Sequence, residues 1–350
     1  MTWLRQLGVS VPIVQAPMAG VSTAAMAAAV SEAGGLGSIG VGATDAAGAA
    51  AMIAAIRAAT DRAFNVNLFV HATPQPDPVR EAGWLEAMRP AFRRFGAEPP
   101  SALHAIYPSF NADDAMLAVL VDAAPPVVSF HFGLPTPDRL AALKAAGCLL
   151  LATATSVAEA RLVEAAGIDV VVAQGWEAGG HRGVFDPAVP DDRIGTLALT
   201  RLLATTTRLP VVAAGGIMDG AGIRAALSLG ASAAQLGTAF VACPESSADM
   251  AYRAALAGEG AHHTVMTRAI SGRPARCLAN GFTQWAANIP RDPPAYPVAY
   301  DAGKALNAAA KATGDGSFGA QWAGQGAPLV RQMPAGSLVA ALWQEACRAG

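Results

Sequence analysis

The chain predicts a closed parallel (β/α)8 barrel, the TIM barrel, followed by a mostly helical C-terminal cap. Three observations lead there. Eight short apolar segments recur between Pro12 and Phe240, each passes to the next through a helical stretch, and the rhythm stops near residue 250. The barrel is assigned to residues 1–250 and the cap to residues 251–350.

The first segment, "PIVQAPMAG", runs into "STAAMAAAVSEAGG", where Ser22 or Thr23 supplies the helix cap and Gly34 or Gly35 the stop. Next, "LGSIGVG" leads to "TDAAGAAAMIAAIRAAT", capped by Thr44 or Asp45, and the third strand is "AFNVNLFV". Prolines then break the pattern through "HATPQPDPVREAGWLEAMRPAFRRFGAEPP", an elaborated third crossover with helical pieces such as "ADDAMLAVLVDAA". From strand four, "PPVVSFHFG", the alternation is regular. A helix near Pro137 to Ala146 precedes strand "CLLLATA", and helix "SVAEARLVEAAG" precedes strand "IDVVVAQG". A loop holding His181 and a helix near Thr196 to Thr206 come before "LPVVAAGG"; helix "DGAGIRAALSLG" and strand "SAAQLGTAF" complete the set. The alternative, an open doubly wound sheet, would show its glycine fingerprint in the first turn, and "MAGVSTAAM" lacks G-x-G-x-x-G. Beyond residue 250, "TVMTRAISGRPARCLANGF", the proline-rich "NIPRDPPAYPV" and the helical "ALNAAAKATG" and "SLVAALWQEACRAG" read as a cap over the barrel mouth.

At 350 residues and 53% hydrophobic composition the chain can bury a deep core. A net charge of −2 with only 14% charged residues leaves no basic stripe for a nucleic-acid backbone. The four cysteines lie far apart without metal-like spacing, which argues against a disulfide framework and a structural metal. Apolar stretches are interrupted before reaching membrane-spanning length, and "MTWLRQLGVSVPIV" lacks a signal-peptide core. The expectation is a soluble cytoplasmic protein with no membrane partner. Nothing sets the number of subunits, and a homo-oligomer is compatible with the sequence.

Two strand ends carry small loops, "AAGGIMDG" and "AQLGTAF", at the seventh and eighth barrel positions, where phosphate sites are often built. Gly215, Gly216, Gly237 and Thr238 suit a phosphate held by main-chain amides, a hydroxyl and a helix dipole, since neither loop offers Lys or Arg. Polar residues punctuate otherwise apolar strands: Gln15, Asn65, Asn67, Ser129, His131, Gln174 and Gln235. Unpaired buried carboxamides are costly, so a flat heterocycle rich in donors and acceptors is their expected partner; for Gln15 and Asn65, pairing within the protein is equally compatible. An isoalloxazine ring with a ribityl phosphate fits this pattern.

Of six histidines, His71, His104, His262 and His263 fall in irregular segments and read as surface or structural. His131 and His181 follow barrel strands, where an imidazole can act as base or donor. His131 is compatible with either a packed, backbone-bonded ring or a catalytic one. His181 stands among Gly179, Gly180 and Gly183, which let the backbone pass a ligand and aim the ring inward. Glu177 either orients His181 or is exposed, and Asp186, Asp191 and Asp192 read as a solvated acidic loop.

Together "PIVQAPMAG", "FNVNLF", "VSFHFG", "AQGWEAGGHRG", "VVAAGGI" and "QLGTAF", with "SGRPAR" and "WAGQGAPLVR" in the cap, resemble the nitronate monooxygenases, formerly called 2-nitropropane dioxygenases. The resemblance implies an FMN-dependent TIM barrel that oxidises alkyl nitronates, such as propionate 3-nitronate, with O2 to carbonyl compounds and nitrite. It places FMN contacts on Asn67, Gln174, Gly179, Gly216, Gln235, Leu236, Gly237 and Thr238, and the catalytic base on His181, which would act when a neutral nitroalkane is the substrate. Two departures bear on the cap's substrate contacts: Cys277 stands where glycine is common, and Gly281 stands near a usual basic residue. Flavin-dependent enoyl-acyl-carrier-protein reductases that use NADH share the "EAGGH" loop in related form, whereas "VSFHFG" and "WAGQG" favour the monooxygenases. A flavin-binding or phosphate-ligand barrel without turnover is the non-enzymatic alternative.

Overall fold

The computed structural model describes residues 2–348. Among them are the strands β1 (Ile13–Gln15), β2 (Gly37–Gly40), β3 (Phe64–Phe69), β4 (Val127–His131), β5 (Leu149–Ala154), β6 (Val170–Gln174), β7 (Gly180–His181), β8 (Val211–Ala214), β9 (Ala233–Leu236), β10 (Thr264–Thr267) and β11 (Ala275–Leu278). The eight segments read from the sequence form one parallel sheet, ordered β1-β9-β8-β6-β5-β4-β3-β2. Its two ends meet. Val14 bridges Leu36, with the Gln15 and Leu36 N–H groups donating to Leu36 and Ile13 carbonyls, each at 2.9 Å. That bridge closes a TIM barrel.

Strand alternation then sorts the side chains. Val66, Val128, Leu150 and Val171 face outward under the helices. Val14, Val127, Leu151, Val172 and Val212 face inward and fill the lower barrel. The floor is sealed by the N-terminal helix (Thr2–Gln6): Trp3 and Leu4 join the inner cluster, and the Trp3 indole donates to Ser232 Oγ at 3.0 Å. Two helix starts resolve the alternatives left by the sequence. Thr23 Oγ1 accepts the Met26 N–H at 3.0 Å, and Asp45 Oδ1 accepts that of Gly48 at 2.8 Å.

The sequence pattern shows no strand after Phe240 and leaves His181 in a loop. The structure instead builds a second, antiparallel sheet, β10-β11-β7, in which Ala275 stands opposite His181 and Arg276 opposite Gly180. Strands of two and four residues carry too few positions for a period to show, and their pairing is set by contacts far away in sequence. The cap region is thus helical and stranded. Its helix Val298–Ala312 packs with the crossover helix Pro78–Arg94 around Trp84, Phe92, Phe282, Leu306 and Phe318. The last helix, Ala335–Arg348, packs into the barrel's outer ring against Ala24–Glu32 and Gly220–Ser228 through Leu338, Val339 and Leu342. No helix among the described residues is long and apolar enough to cross a membrane.

Trp3 is 4% exposed and bonded, so Trp3→Ala should cost about 3–5 kcal/mol in urea unfolding, while Val79→Ala, at a site 84% exposed, should stay within about 0.5 kcal/mol. Equal midpoints for the two variants would show that the floor helix does not hold the barrel.

Candidate active site

The barrel's polar strand ends open into a cavity of about 540 Å³, partly roofed by the cap and within the size range of small-molecule sites. It is lined by Asn67, Ser129, His131, Gln174, Gly179, His181, Gly215, Gly216, Gln235, Gly237 and Thr238. Gln15, Asn65 and Leu236 stand apart from this wall. Gln15 Oε1 accepts the Ser38 N–H at 2.8 Å, and its Nε2 donates to Ser22 Oγ at 2.9 Å and to the Ala16 carbonyl, which ties down the turn after β1. Asn65 donates to Ser38 Oγ at 3.2 Å. Leu236 is one position out of phase with Gln235, so its side chain packs outward with Ile13 and Phe240. Its carbonyl accepts the Ala16 N–H at 2.8 Å.

The glycine turns after β8 and β9 line the cavity. Thr238 Oγ1 accepts the Gly324 N–H from the cap at 3.0 Å, leaving its own proton to donate. The helix it starts, Thr238–Val241, is a single turn, so any anion there would rest mainly on main-chain amides. Along the barrel floor of the cavity, Asn67 spends its Nδ2 on Ser129 Oγ at 2.8 Å and on the Ser129 carbonyl at 3.2 Å. Its Oδ1 is neither bonded nor sealed off. Gln235 points no bonded atom at the protein, and Asp249, an acid in the cavity wall, is paired with Lys311 at 2.6 Å. These free carboxamide groups match a ligand that presents both N–H and C=O edges.

His181 lines the same cavity. Its ring is enclosed by Trp322 at 5.0 Å between centroids, Tyr296 at 5.4 Å, Phe132 at 5.5 Å and Tyr300 at 6.1 Å. Its Nε2 lies 2.9 Å from Ser271 Oγ. Its carbonyl accepts from His131 Nε2 and from Gln174 Nε2, each at 3.0 Å. Since a carbonyl only accepts, His131 carries its proton on Nε2, and its Nδ1 accepts from Thr153 Oγ1 at 3.1 Å. Both ring nitrogens of His131 are therefore engaged, one with β7 and the other with Thr153 of β5. Gln174 closes the same loop, its Oε1 accepting the Gly183 N–H at 2.7 Å.

The glycines around His181 serve the protein's own packing. A Cβ on Gly179 would sit 2.4 Å from the Gly324 nitrogen of the cap, and Gly180 has φ +74°, in the left-handed region. Glu177 does not orient the imidazole. Its Oε2 accepts the Thr196 N–H at 2.7 Å and the Thr196 hydroxyl at 2.8 Å, at a helix start where a carboxylate is favoured. Asp191 is likewise committed, taking two bonds from the buried Arg182 at 2.7 and 3.1 Å. Arg182 also donates to the Gln174 carbonyl. No group of acids, histidines and cysteines among the described residues is arranged to hold a metal ion.

Burial pushes the His181 imidazole down to about 3, helped by the fields of His131 and Arg273. Burial likewise takes His131 down to about 4, against its bond to the His181 carbonyl and with Arg273 and Arg182 adding to the depression. Arg273, 4% exposed and lacking a carboxylate within ion-pair distance, sits 4.4 Å over the Phe132 ring and donates to the Val184 carbonyl. Phe132 itself holds a left-handed backbone, φ 79°, a conformation that L-residues keep only when their surroundings compel it.

His71 is buried, with its Nδ1 3.0 Å from the Ala72 carbonyl, and His104, His262 and His263 are exposed. Cys277 is buried within β11 and Gly281 opens a short helix; neither lines the cavity. Sequence reasoning missed Ser271, Tyr296, Tyr300, Trp322 and Lys304. All but Ser271 line the cavity, and all five lie in the cap, where no strand period marks direction.

A family model described as "Nitronate monooxygenase" matches residues 3–345. The chain is 62% identical over 344 residues to the protein named nitronate monooxygenase in Paraburkholderia phytofirmans, covering 98% of this chain and 94% of that one. It is 57% identical over 343 residues to the one so named in Pseudomonas aeruginosa, covering 97% of each. Among solved structures, nitroalkane oxidase from Streptomyces ansochromogenes superposes with a TM-score of 0.90 at 44% identity, covering 99% and 98% of the two chains. FabK from Thermotoga maritima does so at 0.75 and 30%, covering 99% and 96%. The chain thus belongs to the nitronate monooxygenase family, a flavoprotein family of oxidoreductases.

Proposed function

We propose that the protein is an FMN-dependent enzyme that oxidises alkyl nitronates with O2 to a carbonyl compound and nitrite, and that His181 admits neutral nitroalkanes by removing their α-proton. The observation that carries this reading is an uncharged imidazole, ringed by aromatic side chains, in a cavity also lined by glycine turns, the free Asn67 Oδ1 and the unbonded Gln235 carboxamide.

Gly216, Gly237 and Thr238 would hold the FMN phosphate; Asn67, Gln174 and Gln235 would meet the ring edges; Gly179 would border it, and Leu236 would reach it only through its main chain. When bound, FMN supplies the electron acceptor of the oxidation. The protein's own part is separate. A nitroalkane C–H bond breaks toward His181, its electron pair remaining in the new C=N bond of the nitronate, and the imidazole keeps the proton. A nitronate has already lost that proton and needs no base. The aromatic rings around His181 make its surroundings less polar than water, which strengthens the fields at the site. Arg273 behind Phe132, and Lys304 at 4.8 Å over Tyr107, make that field positive, which suits an anionic substrate.

His181→Asn should retain its flavin and most nitronate turnover but lose nitroalkane turnover about 100-fold or more. Nitrite release from an alkyl nitronate should occur in air and cease under nitrogen. Equal loss on both substrates would remove the assigned role, and steady NADH consumption with an enoyl thioester would point to a reductase.

Because both imidazoles titrate far below their ordinary 6.5, nitroalkane turnover should show no acid limb down to about pH 5; a limb centred near 6.5 would mean that His181 is hydrated. Depressed folded-state values favour the native protein fully above 6.5, and this share is lost as pH falls toward 4. The melting temperature should therefore drop over that window, and by less in His131→Asn.

A further inference from the structure

Ser271 opens the "SGRPAR" stretch of the cap, 90 residues from His181 in sequence, and is 1% exposed. Its Oγ lies 2.9 Å from His181 Nε2 and 3.3 Å from the main-chain carbonyl of Arg273. The Arg273 N–H approaches the same oxygen at 3.4 Å. A hydroxyl has one proton to give, and the carbonyl can only accept. The arrangement that satisfies all three groups has Ser271 donating to the Arg273 carbonyl and accepting the N–H of His181 Nε2. His181 Nδ1 then carries the lone pair. That nitrogen has no partner among the described residues and is not sealed off, and His181 lines the cavity.

The turn that presents Ser271 is fixed. Gly272, at φ +93°, abuts the main chain of Pro294–Tyr296, where an added Cβ would come within 2.5 Å of the Pro294 carbonyl. Pairing of Ala275 with His181 holds the same segment from its far side. The carboxylate nearest in sequence, Glu177, is engaged elsewhere, at Thr196.

We propose that Ser271 is the positioning residue of the base: it holds the His181 imidazole as the Nε2–H tautomer and so leaves Nδ1 as the atom that takes the α-proton. In that step the substrate C–H bond breaks, its electron pair passes into the nitro group to give the nitronate, and the proton forms an N–H bond at Nδ1. The Nε2–H stays on Ser271, and nothing is oxidised or reduced. The proposal rests on the reading of His181 as a base, and its consequences fall on neutral nitroalkanes alone.

Two measurements separate the proposal from that reading. In flavin-loaded protein with nitrogen-15-labelled histidine, with His181→Asn used for assignment, the His181 signals near neutral pH should show a protonated Nε2 and a bare Nδ1. The opposite pattern overturns the proposal whether or not nitroalkanes are turned over, and it requires no variant of Ser271 to fold. In turnover, Ser271→Ala should lower kcat on nitroethane about tenfold or more while leaving kcat on ethyl nitronate within about twofold, and Ser271→Thr should restore the nitroethane rate. An unchanged nitroethane rate, or equal loss on both substrates with flavin retained, overturns it.

Discussion

The pairing of β7 with β11 is the constraint on which the site depends. Two residues of the loop after β6 are drawn into the cap's sheet, with His181 opposite Ala275, and this places an imidazole from the barrel among the aromatic rings of the cap. Its register is enforced from below, since the His181 carbonyl is held by two donors from the barrel, His131 and Gln174. A strand of only two residues would not persist alone. Here the cap supplies its partner, and the barrel supplies its anchor.

The electrostatics of the mouth follow from the same arrangement. The inward strand positions carry amides and hydroxyls instead of charges, so the barrel's contribution is neutral and satisfied mainly within itself or open to the cavity. Behind the aromatic wall, Arg273 is buried against Phe132 with no carboxylate partner among the described residues and Arg182 is neutralised by Asp191, while Lys304 and the Asp249–Lys311 pair stand in the cavity wall itself. A buried cation left without a counter-ion is expensive, and an anion in the adjacent cavity lowers that cost. The strained backbone of Phe132 belongs to this account, because its ring touches both imidazoles and the guanidinium.

Much of this was legible in the sequence wherever a local rule applied. Short segments rich in Val, Ile, Leu and Ala marked the eight strands, the capping residues narrowed two helix starts to adjacent positions, and amides inside apolar strands marked the cavity wall at Asn67, Gln174 and Gln235. Strand alternation also explains why Leu236 departs from its neighbours: when Gln235 faces in, Leu236 must face out. What was illegible depended on chain segments meeting across long separations. β7, β10 and β11 have no period of their own, Ser271 reaches His181 only through the folded cap, and Glu177, adjacent in sequence to the histidine loop, spends its charge on a helix start. Local chemistry singled out the histidine among its glycines; tertiary structure set what that ring touches.

The plug formed by Trp3 and Leu4 also governs traffic. With the lower end stoppered, the barrel is a blind shaft instead of a conduit, and whatever enters past the cap must leave by the cap.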